Sequence, residues 1–266
     1  MSDVANAFRL EGRRVMITGG TCGIGAGIAK AVAAMGADVL LVGFDDDDQA
    51  TQTVTACERY GVHASACCFD LSKPASVWLD QLQHDADLML PNIDTLVNNA
   101  GTFVDRPFLE MTPELYEATM NLNVAAGYFL TQAFAKRWIR GGVDARVVFT
   151  GSINGFLAEP DHTAYDTSKG AIASMVRSLC VALAPHRIRV NSVAPGLIRT
   201  RLTSVIDHDV KLESWMKHHT PNGQIPGPES IAGSVVFLLS DAATHVHGQT
   251  LLVDGGMSAW QQPDPI

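Results

Sequence analysis

Short runs of aliphatic residues alternate along the chain with longer segments in which apolar positions recur at helical spacing. The predicted strands are residues 14–18, 39–42, 64–69, 95–97, 146–150, 189–193 and 250–253. The clearest predicted helices are residues 24–35, 113–139 and 163–183. Strands that alternate with helices pair in parallel through right-handed crossovers. The pattern therefore predicts an α/β fold, a Rossmann-like doubly wound parallel sheet with helices on both faces.

The strands are nearly continuous aliphatic runs, as in the sequence VLLV at residues 39–42. Such runs are typical of strands that helices cover on both faces. No linker rich in Pro, Gly or Ser divides the chain, and no repeat of solenoid period is visible. The pattern thus predicts one domain over residues 1–266.

Charge and cysteine content narrow the choice of partners. The formal net charge is -9 and Lys and Arg form no cluster, which disfavours nucleic acid and anionic membranes as partners. No apolar run reaches membrane-spanning length, and the N-terminus lacks the apolar region of a signal peptide. The five cysteines form no CxxC pair, which favours reduced thiols. We expect a cytoplasmic protein.

A glycine-rich turn, TGGTCGIG at residues 18–25, follows the first strand and leads directly into a helix. Glycines let the backbone approach a pyrophosphate, and a helix N-terminus offers unpaired N–H groups and the positive end of a dipole. An ordinary tight connection is the alternative, but the position between first strand and helix favours a dinucleotide site. The predicted contacts are Gly19, Thr21, Cys22, Gly23, Ile24 and Gly25.

The residues after the second strand bear on the choice of dinucleotide. Phe44 and Asp45 stand there, and a carboxylate at this place can accept hydrogen bonds from the ribose diol while repelling a 2′-phosphate. Residues 43–48 and the glycine turn contain no Arg or Lys, which an NADP site would need. The alternative is an Asp45 that points to solvent. NAD is the predicted cofactor.

Tyr165 and Lys169 are four positions apart in a predicted helix, so their side chains lie on one face, one turn apart. A free tyrosine, with a pKa near ~10, is a poor base at neutral pH. A neighbouring ammonium and the positive charge of an oxidised nicotinamide would favour the phenolate and lower that pKa. A pKa of about 7 would require roughly 4 kcal/mol of differential stabilisation, which needs a partly desolvated cleft.

These motifs together resemble the short-chain dehydrogenase/reductase family, from residue 12 to about residue 256. The resemblance rests on the glycine turn, Asp70-Leu71, Asn98-Asn99-Ala100-Gly101, Asn123, Ser152, Tyr165-x-x-x-Lys169, Asn191, and Pro195-Gly196 followed by Ile198 and Thr200. It implies an oxidoreductase that moves a hydride between NAD(H) and an alcohol or carbonyl carbon.

The resemblance also implies a role for each of four catalytic residues. Tyr165 would be the general acid/base, and Ser152 would hydrogen-bond the reacting oxygen. Lys169 would hold the nicotinamide ribose and depress the pKa of the tyrosine. Asn123 would anchor a water that links Lys169 to solvent.

Further cofactor contacts follow from the resemblance alone. The adenine would lie at Asp70 and Leu71, the adenosine ribose near Asn99, and the carboxamide near Ile198 and Thr200. The other implied cofactor contacts are Ala100, Gly101, Tyr165, Lys169, Pro195 and Gly196. NADP-using relatives commonly carry a basic residue where this chain has Cys22 and an Arg where it has Phe44. The usual NAD-type Asp would align with Gly43, so Asp45 would replace it from two positions away.

The substrate pocket of the family is built from the loop after the serine and from a mobile segment after Pro195-Gly196. In the first loop Asn154, Glu159 and His162, with Ser152, could bind several hydroxyls of a small substrate, which points to a sugar or polyol. A solvent-facing loop carboxylate is the alternative interpretation of Glu159. The second segment, about residues 197–223, is predicted to form a lid. Its adjacent His218 and His219 point apart on a helix, so no metal site is expected.

Relatives usually assemble as homotetramers through the two long helices and the C-terminal strand. Here the predicted helices carry apolar side chains on more than one face, as an interface would require, although a large core explains the same pattern. The alternatives to a sugar or polyol dehydrogenase are a 3-oxoacyl or other ketone reductase, a dehydrogenase of a bulkier hydrophobic alcohol, and a non-catalytic NAD-binding sensor. The presence of Asn123, Ser152, Tyr165 and Lys169 together argues against the sensor.

Overall fold

The computed structural model describes residues 2–45 and 48–260. Seven parallel strands form one sheet in the order β3-β2-β1-β4-β5-β6-β7. The strands are β1 Arg14–Thr18, β2 Asp38–Gly43, β3 Ala64–Cys68, β4 Thr95–Asn98, β5 Ala145–Thr150, β6 Ile188–Pro195 and β7 Thr250–Val253. The predicted fold class and all seven predicted strands are confirmed, with differences of one or two residues at the strand ends.

Helices cover both faces of this sheet. They are α1 Ser2–Asn6, α2 Gly23–Ala34, α3 Asp48–Glu58, α4 Ala75–Met89, α5 Pro113–Met120, α6 Ala126–Gly141, α7 Thr163–Leu183, α8 Val210–His218 and α9 Glu229–Leu239. Alternate residues of each strand face opposite layers because side chains alternate across a strand. Thus Met16 joins the core cluster beneath α4, α6 and α7, while Ile17 joins the cluster beneath α2 and α9.

The predicted helix over residues 113–139 is interrupted, and in this respect the prediction is wrong. Helices α5 and α6 are joined by a π-helical turn, Asn121–Ala125. A π turn inserts one extra residue into the helical ladder and is frequent at functional sites. Apolar residues continue through the π turn, so the sequence pattern does not show that the helical repeat shifts there by one residue.

The apolar side chains predicted for an interface divide into two groups. Leu130, Phe134, Ile172 and Val176 are buried in the core, which accounts for most of the apolar pattern. Phe129 remains 40% exposed on α6. No helix in the described part of the chain is both long and apolar enough to cross a membrane.

Two buried arginines stabilise the edge of the sheet that is formed by the amino ends of the strands, next to the first residues of β5 and β6. Arg146 donates to the Leu239 carbonyl and pairs with Asp241, and Arg189 donates to the carbonyls of Leu238 and Ser240 at 3.0 and 2.8 Å. These guanidinium groups satisfy carbonyls at the C-terminus of α9, where the helix dipole favours positive charge.

The opposite edge of the sheet, formed by the carboxyl ends of the strands, contains the topological switch point. β1 and β4 are neighbours, and the connection after β1 leads to β2 on one side whereas the connection after β4 leads to β5 on the other. Thr18 and Asn98 pair at the carboxyl ends of β1 and β4. Open α/β sheets bind ligands in the crevice outside such strand ends. The described residues at this edge therefore form the candidate site.

Candidate active site

The glycine turn is held in shape by the end of β4. The Asn99 amide donates to the carbonyls of Thr18 and Gly19, both at 3.1 Å, and its oxygen accepts from Thr150 Oγ1 at 3.1 Å. Thr18 Oγ1 in turn accepts from the backbone N–H groups of Asn99 and Ala100 at 3.0 Å. The predicted ribose contact Asn99 thus uses its side chain to connect β1, β4 and β5.

The turn leaves room for an anion at the N-terminus of α2. A Cβ on Gly25 would lie 1.9 Å from the Gly19 oxygen, so the turn closes this tightly only around a glycine. Exposed Cys22 is the N-cap of α2 and makes no side-chain capping bond to the first N–H groups of the helix. Free N–H groups at a helix N-terminus fit a pyrophosphate. Gly23 and Ile24 form the first positions of that helix.

At the adenosine end, the structure gives a reason for the glycine at position 43. A Cβ there would lie 2.8 Å from Thr21 Cγ2, so the buried Thr21 side chain occupies the place that an acidic side chain would need. Phe44 and Asp45 are both exposed beside it. An open groove of about 550 Å³ adjoins this region, and Lys30 is among its lining residues.

Asp70 and Leu71 follow β3 at the same edge. Asp70 Oδ1 accepts from the Ser72 backbone N–H at 3.0 Å, which forms a local turn, and Leu71 is buried in the core. On the other side of the switch point, the Gly196 N–H donates to the Val253 carbonyl at 3.1 Å after Pro195 ends β6.

The segment after Gly196 is fixed by a threonine that the sequence did not single out. Thr203 Oγ1 donates to the Ile198 carbonyl at 2.7 Å and accepts from the Thr200 N–H at 2.8 Å. Ile198 is buried and Thr200 is partly buried. The two predicted carboxamide contacts are therefore held in one short loop.

Tyr165 and Lys169 lie on one face of α7. The Lys169 ammonium is 5.5 Å from the centroid of the Tyr165 ring and donates to the Thr150 carbonyl at 2.9 Å. The Ser152 hydroxyl is close enough to the Tyr165 side chain to lower the pKa of the phenol. The predicted phenol, amine and hydroxyl are thus brought together beside the ends of β4 and β5.

Burial dominates the proton affinities of this group. It lowers the pKa of Lys169 to about 8, because the ammonium is removed from water. Burial also raises the pKa of Tyr165; the Ser152 hydrogen bond acts against this, and the carboxylates of Asp166 and Glu159 add to it. In the polypeptide alone, therefore, the pKa of Tyr165 is not lowered by Lys169 as the sequence predicted. A lowering would require the positive charge of the bound cofactor.

Asn123 lies in the π turn and is buried. Its amide donates to the Thr102 carbonyl and to Ser168 Oγ, both at 2.9 Å, and its oxygen accepts from the Thr102 N–H at 2.9 Å. A Cβ on Gly101 would be 3.2 Å from Asn123 Oδ1 and 3.7 Å from Lys169 Nζ. The side chain therefore joins the loop after β4 to α7, close to the lysine.

The four predicted substrate residues form one network. The Asn154 amide donates to Glu159 Oε1 at 3.3 Å and to Asp166 Oδ1 at 2.8 Å, and the Asn154 N–H donates to Ser152 Oγ at 3.1 Å. His162 lies against Glu159, with Nδ1 3.3 Å from Oε1. The site thus continues from Ser152 along the loop to His162.

Three residues of this region were missed in the sequence. Asp105 pairs with His162 Nε2, Phe103 packs edge-on against Tyr165 with ring centroids 6.0 Å apart, and Asp166 orients Asn154. Phe103 and Asp105 come from the loop after β4, and no local pattern marks that loop as a neighbour of α7. The position of Asp166, directly after the tyrosine, was the one available signal.

Residues 2–45 and 48–260 contain no group of three or more His, Cys, Asp or Glu arranged to hold a metal ion. Burial raises the pKa of Cys57 to about 11 and that of Cys67 to about 12, so both thiols stay protonated at neutral pH.

A doubly wound sheet with a phosphate-binding turn, and a Tyr–Lys–Ser group at the switch point, define a nicotinamide-dependent oxidoreductase. The sequence model of the family described as "Enoyl-(Acyl carrier protein) reductase" matches residues 19–258. The chain belongs to the short-chain dehydrogenase/reductase family.

Individual relatives act on different substrates. An L-rhamnose 1-dehydrogenase (NAD(P)(+)) of Sphingomonas sp. (strain SKA58) is 35% identical over 93% of this chain and 97% of its own length. The crystal structure of a gluconate 5-dehydrogenase from Burkholderia cenocepacia J2315 with NADP and tartrate has a TM-score of 0.88, 30% identity, and coverage of 96% and 99%. That of a 7α-hydroxysteroid dehydrogenase with NADH and 7-oxo glycochenodeoxycholic acid has a TM-score of 0.87, 34% identity, and coverage of 95% and 96%.

Proposed function

We propose that this chain is an NAD-dependent dehydrogenase that oxidises a hydroxyl group of a sugar or polyol, with Tyr165 as the acid/base. The observation that carries the proposal is the Tyr165–Lys169–Ser152 group beside the glycine turn. The sugar substrate is supported by the L-rhamnose and gluconate dehydrogenases among the relatives. It is also supported by the polar loop that continues from Ser152, since hydroxyl-selective sites place polar groups against the substrate.

Tyr165, Ser152 and Lys169 would each have a separate role in the reaction. Oxidised NAD, when bound, would supply the hydride acceptor and a positive charge beside the phenol. Tyr165 would take the proton of the substrate hydroxyl, and Ser152 would donate a hydrogen bond to the same oxygen. Lys169 has Thr150 as its one hydrogen-bond partner within the described residues, which leaves N–H groups for the cofactor ribose.

Proton release from this site would pass Asn123. Both donors of the Asn123 side chain are used by Thr102 and Ser168, so a water that links Lys169 to solvent would be held by a backbone carbonyl of the π turn. The residue would then act by fixing the position of that turn.

The test of the assigned base is the Tyr165→Phe variant. We expect it to bind NAD with unchanged affinity and to lose about a hundredfold to ten-thousandfold in kcat, because an acid/base group contributes that much to the rate. Tyr116→Phe, on the exposed face of α5, is the matched control and should keep wild-type turnover. Normal turnover by Tyr165→Phe would refute the assignment. NAD binding without turnover of any substrate by the wild type would support the sensor instead.

The preference for NAD rests on charge. Asp45 is exposed beside the turn, and neither Cys22 nor Phe44 offers a cation to a 2′-phosphate. Lys30 lies two turns along α2 from Gly23, roughly 10 Å along the helix axis. We expect kcat/KM to be at least tenfold higher with NAD, and Asp45→Ser to reduce that ratio. Equal efficiency with both cofactors would refute the proposal, and a gain of NAD preference in Lys30→Gln would identify Lys30 as a phosphate partner.

A dehydrogenase of bulkier hydrophobic alcohols is the second candidate. Phe156 and Leu157, in the loop after Ser152, are 55% and 41% exposed, and such side chains could contact an apolar substrate. A 3-oxoacyl thioester reductase would use the same chemistry. Steady-state assays at the reduced-nicotinamide absorbance with sugars, polyols, hydroxysteroids and β-ketoesters separate these candidates, and a sugar or polyol should give the highest kcat/KM.

Our proposal extends to the assembly, location and lid of the enzyme. A homotetramer is supported by exposed apolar side chains such as Phe129 on α6 and Leu252 on β7, and sedimentation or light scattering would measure it. We expect a cytoplasmic enzyme of one domain, which cell fractionation and a single cooperative melt would test. Residues 197–223 would form the lid, and protection of this segment from proteolysis by cofactor and substrate would be the signature.

A further inference from the structure

A group of charged side chains forms one wall of the active site. We call Asp105, Glu159, His162 and Asp166 the acidic collar. Both carboxylates that flank His162 contact it, Asp105 at Nε2 and Glu159 at 3.3 Å from Nδ1, and Nδ1 makes no hydrogen bond although it is buried. The collar holds three carboxylates and one imidazole, so its net charge is negative in either protonation state of the histidine.

The acidic collar is part of the catalytic site already described and reaches its reacting groups. The His162 ring lies 6.1 Å from the Tyr165 ring, and Asn154 connects Ser152 to Asp166 and Glu159. The negative charges of Asp166 and Glu159 also raise the pKa of Tyr165. A substrate held by Tyr165 and Ser152 therefore lies within the field of the collar.

Three described cationic side chains near the site are paired with other groups or lie at its edge. Lys169 is buried behind Tyr165 and bound to Thr150. Arg199 pairs with Asp207 and Glu213. Arg106 is exposed next to Asp105, and its backbone N–H donates to the Asp161 carbonyl at 2.9 Å. The Arg106 side chain is exposed, so solvent and salt screen its charge and it should have little influence on a substrate held at Tyr165.

From this arrangement we infer that the site accepts uncharged sugars or polyols and rejects sugar acids. Hydroxyl groups donate hydrogen bonds to carboxylates, whereas the carboxylate of an aldonic acid would meet like charge in a partly desolvated cleft. One like charge at roughly 6 Å, at the effective dielectric of a half-exposed site, changes the relative kcat/KM by about threefold to tenfold. Several collar charges together should exceed tenfold. This inference rests on the proposed function.

The test compares uncharged sugars with their aldonic acids at saturating NAD. We expect L-rhamnose and other neutral aldoses to have at least tenfold higher kcat/KM than D-gluconate and related acids. Glu159→Gln should raise kcat/KM for the acids relative to the neutral sugars by about threefold to tenfold, and Arg106→Gln should leave that ratio unchanged. In the wild type, higher ionic strength should reduce the discrimination, which keeps the test independent of any variant.

Two outcomes would overturn the inference while the proposed function stands. One is a wild-type preference for sugar acids, and the other is loss of acid turnover in Arg106→Gln, which would make Arg106 the carboxylate's partner. Failure of every sugar, neutral or acidic, alongside turnover of a hydroxysteroid or β-ketoester, would instead refute the proposed sugar substrate itself.

Discussion

Replacement of Lys169 by methionine should make the protein more stable while it destroys turnover. Burial lowers the pKa of the lysine from its ordinary 10.5 to about 8. At about 1.4 kcal/mol per tenfold change in proton affinity, holding the charge in the fold at pH 7 costs about 3 kcal/mol. Methionine has similar length and no charge, but it cannot donate to the Thr150 carbonyl. That loss offsets about 1–2 kcal/mol.

The net expectation is a gain of about 1–2 kcal/mol in the free energy of unfolding at pH 7. For a chain of this size it raises Tm by about 2–4 °C per kcal/mol. The sign with pH follows from the lowered folded-state pKa. Between about pH 8 and pH 10.5 the unfolded chain binds the lysine proton and the folded protein does not, so the wild-type free energy of unfolding rises with pH across that window. The advantage of Lys169→Met should therefore shrink as the pH approaches 10.

Thermal melts of the cofactor-free wild type and variant at pH 7, 8, 9 and 10, at one protein concentration, measure this difference. Lys30→Met, on the exposed face of α2, is the matched control and should change stability by no more than about 0.5 kcal/mol at any of these pH values. A variant that melts at or below the wild-type temperature at pH 7, or a gap that is constant with pH, would refute the reasoning.

Three further substitutions test other parts of the structure. Gly25→Ala should abolish NAD binding measured by calorimetry, because its Cβ would lie 1.9 Å from the Gly19 oxygen, whereas Gly233→Ala, with nothing within 4 Å, should bind normally. Asn123→Ala should lower kcat at least tenfold and the free energy of unfolding by about 2–3 kcal/mol, since the three hydrogen bonds of a buried side chain are lost; unchanged kcat would show that the π turn holds its position without them. Arg146→Met should cost about 2–4 kcal/mol in urea unfolding with KM unchanged, because it uncaps α9 far from the site; an altered KM would contradict that separation.

The sheet was predictable because its strands are buried on both faces and so consist of uninterrupted aliphatic residues. The run VLLV at residues 39–42 has all four side chains buried in β2. Helix α7 was predicted with its observed bounds, since its apolar stripe and polar face follow one period throughout. The π turn could not be predicted, because it differs from the α-helix by one residue per turn within a segment that is apolar on both sides.

Within the site, the spacing of Tyr165 and Lys169 was enough to place both side chains on one helical face. The contacts of Asp105 and Phe103 could not be found in the same way, because they depend on how a loop from the end of β4 crosses to α7. The sequence also could not predict that the Asn99 side chain hydrogen-bonds neighbouring strands, since a polar residue at a strand end can equally well bind a ligand.

The loops that carry Asp105 and His162 are joined by their own contacts, the ion pair between those residues and the hydrogen bond from the Arg106 N–H to the Asp161 carbonyl. The Tyr165–Lys169 pair lies instead on α7, and the hydrogen bonds of Asn99 connect the ends of the central strands. Substitutions in the two loops can thus change the substrate while the Tyr165–Lys169 pair and the strand ends around it remain unchanged. Transplanting both loops together into a relative should move its specificity, whereas transplanting one would break the ion pair that joins them.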